Sequence, residues 1–135
     1  MTKYIKRFAE WFQIKENLDN STSKDPSFRE RELWMAYFGE NLGFEMSGKN
    51  EHFHRPVIIL QKFNRHLFIG VPTSTKIKKN NPFYITFEYQ GKTCSALISQ
   101  IRAMDAKRLH YRKGRVSPND FDTIHSSIIT MLNKK

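Results

Sequence analysis

The sequence is poor in cysteine, in long apolar runs and in signal-like segments, and each scarcity excludes a class of protein. Cys94 is the only cysteine among 135 residues, so the chain can form no intramolecular disulfide and no thiolate cluster for zinc. The longest aliphatic run, Val57 to Leu60, is far below the roughly 18 apolar residues that span a bilayer. Charged residues interrupt positions 3–13, where a signal peptide needs an apolar region. We therefore expect a protein of the reducing cytoplasm with no transmembrane helix.

Several catalytic motifs are also absent. Neither Gly-x-x-x-x-Gly-Lys-Ser/Thr nor Gly-x-Gly-x-x-Gly occurs, so ATP- or NAD-dependent chemistry has no support. Gly-x-Ser-x-Gly is missing, and the histidines never form His-Glu-x-x-His. His52 and His54 alternate in a polar segment, a spacing more typical of a surface pair than of a metal site. We expect no metal and no cofactor.

Positive charge is concentrated in the second part of the chain. The net charge is +10; residues 1–53 carry 8 Lys/Arg and 9 Asp/Glu, whereas residues 54–135 carry 15 and 4. Such a basic surface favours a polyanionic partner, most simply nucleic acid. Two alternatives are an acidic protein partner and a solvated basic surface that serves only solubility.

The length and an apolar content of 39% fit one domain with its own core. Residues 1–18 have the helical spacing of an amphipathic helix, and polar residues 19–29 read as a linker before a main domain at 30–135. The aromatic face of that helix is predicted to pack on the domain or on a partner. In the main domain, short runs rich in aromatic and β-branched residues predict five strands, at 33–38, 57–63, 66–71, 82–89 and 93–98.

The segments between these strands complete the prediction. Residues 45–54 are polar and predict a mobile loop, and Gln90-Gly91-Lys92 predicts a hairpin turn. A closing amphipathic helix is predicted after Ser117-Pro118. Short strands without long intervening helices favour antiparallel pairing in a barrel or sandwich.

A cationic site for phosphate is the chemistry that the residues leave open. Arg55 stands where the polar loop meets a buried strand, and Ser74-Thr75-Lys76 follows the end of the next strand. RNA supplies its own nucleophile, the 2′-hydroxyl, so its cleavage needs no metal if the protein stabilises a phosphorane and moves protons. Arginine, lysine and a hydroxyl are sufficient for that reaction.

Four blocks in order resemble the MazF/PemK-like toxins of bacterial toxin–antitoxin systems. The blocks are Glu32-Leu33-Trp34 through Gly43-Phe44-Glu45, Gly48-Lys49-Asn50 with Arg55-Pro56-Val57-Ile58-Ile59-Leu60, Val71-Pro72-Thr73-Ser74-Thr75-Lys76, and Ser99-Gln100-Ile101-Arg102 through Leu109. The resemblance covers about residues 30–132 and leaves residues 1–28 outside.

The resemblance implies a fold and a function. The fold is mainly β: a small SH3-like, CcdB-type barrel of bent antiparallel strands with a C-terminal helix, to which this chain adds an N-terminal helix. The implied activity is that of a metal-independent endoribonuclease that cuts single-stranded mRNA at short sequences and leaves a 2′,3′-cyclic phosphate and a 5′-hydroxyl. The implied partners are a second copy in a homodimer and an acidic antitoxin protein that inhibits the toxin.

The resemblance also implies site residues. Arg55 matches the family's catalytic arginine and, because a guanidinium stays protonated, suits phosphorane stabilisation better than general base catalysis. Counted from Pro72, the catalytic hydroxyl falls on Ser74, with Thr75 as the alternative. His54 is a candidate base or base-stacking group, or an exposed bystander. Candidate RNA-binding residues are Lys49, Phe53, Lys76, Gln100 and Arg102; Phe53 is alternatively a loop anchor, and Gln100 and Arg102 alternatively bridge strand and turn.

Two other functions fit the same fold. A CcdB-like gyrase inhibitor would bind without cleaving, but those relatives use a tryptophan near the C-terminus and this chain ends Met131-Leu132-Asn133-Lys134-Lys135. A non-catalytic nucleic-acid-binding module is the other alternative, kept open by serine in place of threonine at position 74.

Overall fold

The computed structural model describes residues 4–133, which form seven antiparallel strands, two α-helices and two short 3-10 turns. The elements are α1 (Phe8–Asp19), β1 (Glu32–Tyr37), β2 (His54–Lys62), β3 (Leu67–Ser74), β4 (Tyr84–Tyr89), β5 (Lys92–Leu97), β6 (Arg102–Asp105), β7 (Leu109–Arg115) and α2 (Pro118–Asn133). Neither described helix combines the length and apolar character needed to cross a membrane.

The strands follow the order β4-β5-β3-β2-β1-β7, and β6 pairs with the first half of β3. The sheet is open, but its two ends approach each other, since the Tyr89 hydroxyl of β4 donates to the Lys113 carbonyl of β7 at 2.6 Å. The predicted fold class, mainly antiparallel β with a helix at each end of the chain, is confirmed.

Strand β2 is buried on both faces, which explains its uninterrupted apolar sequence. Val57 and Ile59 point into one core with Trp34 of β1, while Ile58 points into a second core that α2 covers with Ile124. Because successive side chains of a strand alternate, one strand supplies both cores. This places the start of β2, and therefore Arg55, on a rigid support.

Two local predictions in the second half are confirmed. Gln90 and Gly91, at φ +50° and +77°, form a two-residue turn between the paired residues Tyr89 and Lys92. Both turn residues are left-handed, as in a type I′ hairpin. The closing helix begins at Pro118 as expected. Strands β6 and β7 lie beyond the five predicted strands.

The N-terminal region differs from its prediction in two ways. The helix begins at Phe8 rather than near residue 3, and residues 1–3 lie outside the described range. Of its aromatic face, only Trp11 is buried, whereas Tyr4, Phe8 and Phe12 are at least half exposed. The predicted aromatic packing on the domain is thus made by a single ring.

The predicted linker and loop also change their limits. Phe28, in the predicted linker, is fully buried beside Phe68, with ring centroids 5.1 Å apart, so the core begins before residue 30. The loop between β1 and β2 covers residues 38–53, and His54 already belongs to β2. Backbone hydrogen bonds cross this β1–β2 loop, including Gly48 N–H to Gly39 O at 2.7 Å. The segment predicted as a mobile loop is therefore held in a defined conformation by backbone hydrogen bonds.

Candidate functional site

One cavity of about 330 Å³ collects five of the nine predicted site residues. They come from three places: the β1–β2 loop, the start of β2 and the end of β3. The predicted residues that line the cavity are Lys49, His54, Arg55, Ser74 and Thr75. Because β2 and β3 are antiparallel neighbours, the start of one strand lies beside the end of the other.

Arg55 is held at the cavity by two backbone carbonyls. Its Nε donates to Ser47 O at 2.8 Å and its Nη1 donates to Thr73 O at 3.0 Å. The residue is only 7% exposed, and this burial lowers its pKa below the usual value while Tyr84 acts in the opposite direction. Nη2 makes no hydrogen bond to any described residue. The guanidinium is thus fixed in direction and keeps a donor for an anion.

The three hydroxyls at the end of β3 differ in their partners. Thr73 donates its hydroxyl proton to Pro56 O at 3.0 Å and is buried. Ser74 Oγ accepts from Lys76 N–H at 3.1 Å, which leaves its own proton available to a ligand. Thr75 is exposed. Both Ser74 and Thr75 therefore reach the cavity, and Ser74 has the more ordered hydroxyl.

His54 belongs to a cluster of rings beside the cavity. Its Nε2 lies 3.1 Å from Nδ1 of His110, and its ring lies 5.1 Å from that of His52 and 4.7 Å from that of Tyr37. Burial, reinforced by the two histidines, lowers the pKa of His54 to about 4. His54 is consequently neutral at pH 7 and able to accept a proton.

The other predicted residues lie outside the cavity lining. Gln100 holds the β1–β2 loop, because its side chain accepts from Met46 N–H at 3.0 Å and donates to Phe44 O at 3.3 Å. Arg102 lies over the ring of Phe38 at 5.6 Å. These contacts match the structural alternative for both residues. Lys76 follows the cavity residue Thr75 without lining the cavity.

Phe53 requires a correction. Its side chain is fully buried, with the Trp11 ring 5.7 Å away and the Arg7 guanidinium 4.4 Å from its centroid. A buried ring cannot stack on an RNA base, so Phe53 is a loop anchor. The loop instead presents Phe44, which is fully exposed. A turn-forming Gly43 before Phe44 was the only sequence signal for this placement.

Lys92 and Lys113 are cavity residues that the sequence did not identify. Lys92 follows the β4–β5 turn, and Lys113 lies on β7 at the opposite end of the strand order. Together with Lys49 and Arg55 they make four cationic side chains at one cavity, and none of the described residues lining it carries a carboxylate. Only the pairing of distant strands brings them together.

Comparisons with known proteins identify the family and agree with the fold. The sequence model of the PemK-like, MazF-like toxins of type II toxin–antitoxin systems matches residues 29–132. A search of curated proteins returns no significant match. A crystal structure of MazF from Deinococcus radiodurans superimposes with a TM-score of 0.63 at 16% identity, covering 82% of this chain and all of that one.

Two mycobacterial structures are also similar in fold. An endoribonuclease in complex with its cognate antitoxin gives a TM-score of 0.59 at 16% identity and covers 81% of this chain and 98% of that one. An endoribonuclease alone gives 0.58 at 14% identity and covers 83% and 95%. With the family match extending over most of the sequence, from before β1 to the last turn of α2, this chain belongs to the PemK-like, MazF-like toxins of type II toxin–antitoxin systems.

Proposed function

We propose that this toxin is a metal-independent endoribonuclease that cleaves single-stranded mRNA at short sequences in the cytoplasm. It leaves a 2′,3′-cyclic phosphate and a 5′-hydroxyl, acts as a homodimer, and is inhibited by an acidic antitoxin. Arg55 and Ser74 serve as catalytic residues, with His54 as the base. The cavity lysines hold the RNA phosphates, and Lys76, which follows the cavity residue Thr75, extends the basic surface.

The composition of the cavity is the observation that carries the proposal. Four cations and the hydroxyls of Ser74 and Thr75 converge on one cavity whose described lining has no carboxylate, and the buried Arg55 is oriented by Ser47 O and Thr73 O. A preorganised guanidinium in a partly dehydrated site stabilises developing negative charge more strongly than it would in water. The site is therefore suited to a phosphorane dianion.

The reaction balances with the groups present. The RNA 2′-oxygen attacks the adjacent phosphorus while the neutral His54 accepts its proton, and the bond from phosphorus to the 5′-oxygen breaks. Arg55 and the Ser74 hydroxyl donate hydrogen bonds to the non-bridging oxygens of the phosphorane. A water molecule donates a proton to the departing 5′-oxygen, which gives the 5′-hydroxyl, and His54 returns the proton it accepted to the resulting hydroxide, so that the histidine is neutral again.

Incubation of the purified protein with a long single-stranded RNA in EDTA tests the proposal. We expect cuts at a recurring short sequence, with 5′-hydroxyl ends found by end mapping. Arg55→Ala should abolish them, and Arg55→Lys should restore little because lysine lacks the fork that binds both carbonyls. Arg65→Ala removes an exposed arginine outside the cavity lining and is the matched control.

Arg55→Ala leaves two carbonyls without their donor and therefore needs a second variant. Ser74→Ala removes one hydroxyl at a half-buried position and should fold normally, as circular dichroism will check. RNA left intact by a folded wild-type protein, or cleavage that persists in both variants, would refute the proposed function. A gyrase cleavage assay would then test the CcdB-like alternative.

A further inference from the structure

The N-terminal segment, residues 4–19, is bound to the start of the β1–β2 loop. Glu40 accepts two hydrogen bonds from this segment, from the Tyr4 hydroxyl at 2.7 Å and from Arg7 N–H at 2.9 Å. Lys6 Nζ donates to Asn41 O at 2.6 Å and to Gly43 O at 2.8 Å. Residues that precede the toxin domain therefore bond both to a charged side chain and to backbone carbonyls of the loop.

The same segment is bound to the end of the loop. Arg7 Nη2 donates to Asn50 O at 2.7 Å, and its guanidinium covers the ring of Phe53. Trp11 also packs on Phe53, with ring centroids 5.7 Å apart, and against Gly39, where a Cβ atom would lie 2.5 Å from the indole. One short segment thus connects the two ends of the loop.

Arg55 takes its direction from the middle of that loop. Ser47 O accepts from its Nε, and the neighbouring Lys49 makes reciprocal backbone hydrogen bonds with His54 at 2.7 and 2.8 Å. Gly48 donates to Gly39 O, so the middle of the loop is tied to the position that Trp11 packs against. A movement of the loop ends would therefore move the carbonyl that orients Arg55.

We propose that Arg7 and Trp11 are positioning residues for Arg55, and that the N-terminal segment is a functional part of the active site. This inference rests on the proposed function. The segment lies outside residues 29–132, the part that matches the family model. We call residues 4–19 the brace, because they hold the loop whose Ser47 carbonyl orients the catalytic arginine.

The brace should affect the chemical step more than RNA binding. Lys92 on β5 and Lys113 on β7 stay in place to hold phosphate when the loop loosens, but the guanidinium of Arg55 no longer points steadily at the reacting phosphate. Displacements of about 1 Å in a catalytic group can cost up to about 100-fold in rate. We therefore expect a fall in kcat without a matching rise in KM.

Arg7→Ala is the main test, because it removes the contacts to Asn50 and Phe53 but keeps the backbone bond to Glu40. Trp11→Ala removes the ring, and Trp11→Phe should partly restore function by refilling the contact with Phe53. Lys15→Ala removes one positive charge from an exposed position of α1 and is the matched control. Each protein is assayed for single-turnover RNA cleavage, for hydrogen–deuterium exchange and for Tm.

We expect Arg7→Ala to lower the cleavage rate about tenfold with KM changed less than about twofold. Exchange should accelerate at the amides of the β1–β2 loop, residues 38–53, and stay unchanged in β3. Lys15→Ala should match the wild type in all three measurements. Faster loop exchange with an unchanged cleavage rate would overturn the positioning role, as would uniform acceleration over the whole sheet with a lower Tm, which indicates general destabilisation.

The exchange data separate this inference from the proposed function. A wild-type protein that cleaves no RNA would refute the ribonuclease proposal and the catalytic role of the brace together. If the wild type cleaves RNA but its loop amides exchange as fast as those of Arg7→Ala, the brace alone would be refuted. If the wild type cleaves RNA, and Arg7→Ala both accelerates amide exchange in the loop and lowers kcat, the ribonuclease function and the brace are both supported.

Discussion

Three consecutive hydroxyl residues, Thr73 to Thr75, lie at the end of β3 and directly after it. Their hydrogen bonds predict different contributions to cleavage. Ser74 accepts from Lys76 N–H and keeps its proton free, whereas Thr75 is exposed. We expect Ser74→Ala to lower the single-turnover cleavage rate by about 10- to 100-fold, in line with the loss of one preorganised donor. Thr75→Ala should stay within about threefold of the wild type. A larger loss with Thr75→Ala would move the catalytic hydroxyl to that residue.

His54 should make folding stability depend on pH. Burial and the neighbouring His52 and His110 lower the pKa of His54 to about 4, from 6.5 in an unfolded chain. Between these values the unfolded chain binds more protons than the folded one, so stability falls as pH falls from about 6.5 to 4. Above pH 6.5 both states are neutral and the effect disappears.

Urea unfolding between pH 4 and 8 measures this dependence, with His54→Asn as the variant. The variant should show a flatter profile between pH 4.5 and 6.5. Glu32 and Glu40 lose stabilisation only at lower pH, because the hydrogen bonds they accept outweigh burial and lower their pKa. A variant with an unchanged slope would assign the dependence to other groups.

The sequence predicted which residues converge at the cavity better than which side chains are exposed around it. Arg55 and Ser74 flank paired strands, so their convergence follows from the antiparallel order alone. For Phe53 the sequence left two roles, stacking on an RNA base or anchoring the loop, and the contacts with Trp11 and Arg7 show that it is an anchor. That contact joins positions more than 40 apart in the chain, and no local pattern contains it.

At the scale of elements, strands with two buried faces or a tight turn were predictable, and strand β7 was not. β2 has a continuous apolar run, and β4 and β5 flank a turn with glycine. β7 is an edge strand with mostly exposed, basic side chains, so it lacks the apolar alternation that identifies a strand. The charged side chains that obscure the strand pattern of β7 in the sequence also discourage edge-to-edge aggregation.

The β1–β2 loop depends on a close backbone approach at Gly48. A Cβ atom there would lie 1.8 Å from Phe53 O, so the loop must open to admit any side chain. We expect Gly48→Ala to destabilise the protein by about 2 kcal/mol or more. Gly43→Ala is the control, because open space surrounds that position and only its φ of +56° opposes alanine, at about 1 kcal/mol.

Urea denaturation of both variants beside the wild type measures the difference. In the absence of RNA, Gly48→Ala should also accelerate hydrogen–deuterium exchange at the amide of Lys49, whose N–H is hydrogen-bonded to His54 O. Equal stability losses in the two variants would show that the loop admits a Cβ atom at position 48 and would contradict the steric role of Gly48.

At the scale of the whole molecule, the uneven charge of the sequence becomes a charged site. The second part of the chain supplies Arg55, Lys92 and Lys113, and the first part supplies Lys49 from the loop. Of the four carboxylates after residue 53, none lines the described cavity. Folding therefore concentrates a diffuse net charge where a polyanion can bind.

This concentration predicts how RNA binding depends on salt. For single strands, log K falls against log salt with a slope of about −0.7 per phosphate neutralised, so four cavity cations predict a slope of about −3. Lys113→Ala should make the slope shallower by about 0.7, whereas Lys15→Ala, far from the cavity, should not change it. Anisotropy titrations with 2′-O-methyl RNA, which lacks the nucleophile, measure binding without cleavage. If Lys113→Ala and Lys15→Ala change the slope equally, RNA binding depends only on the total charge of the protein, and the cavity is not the binding site.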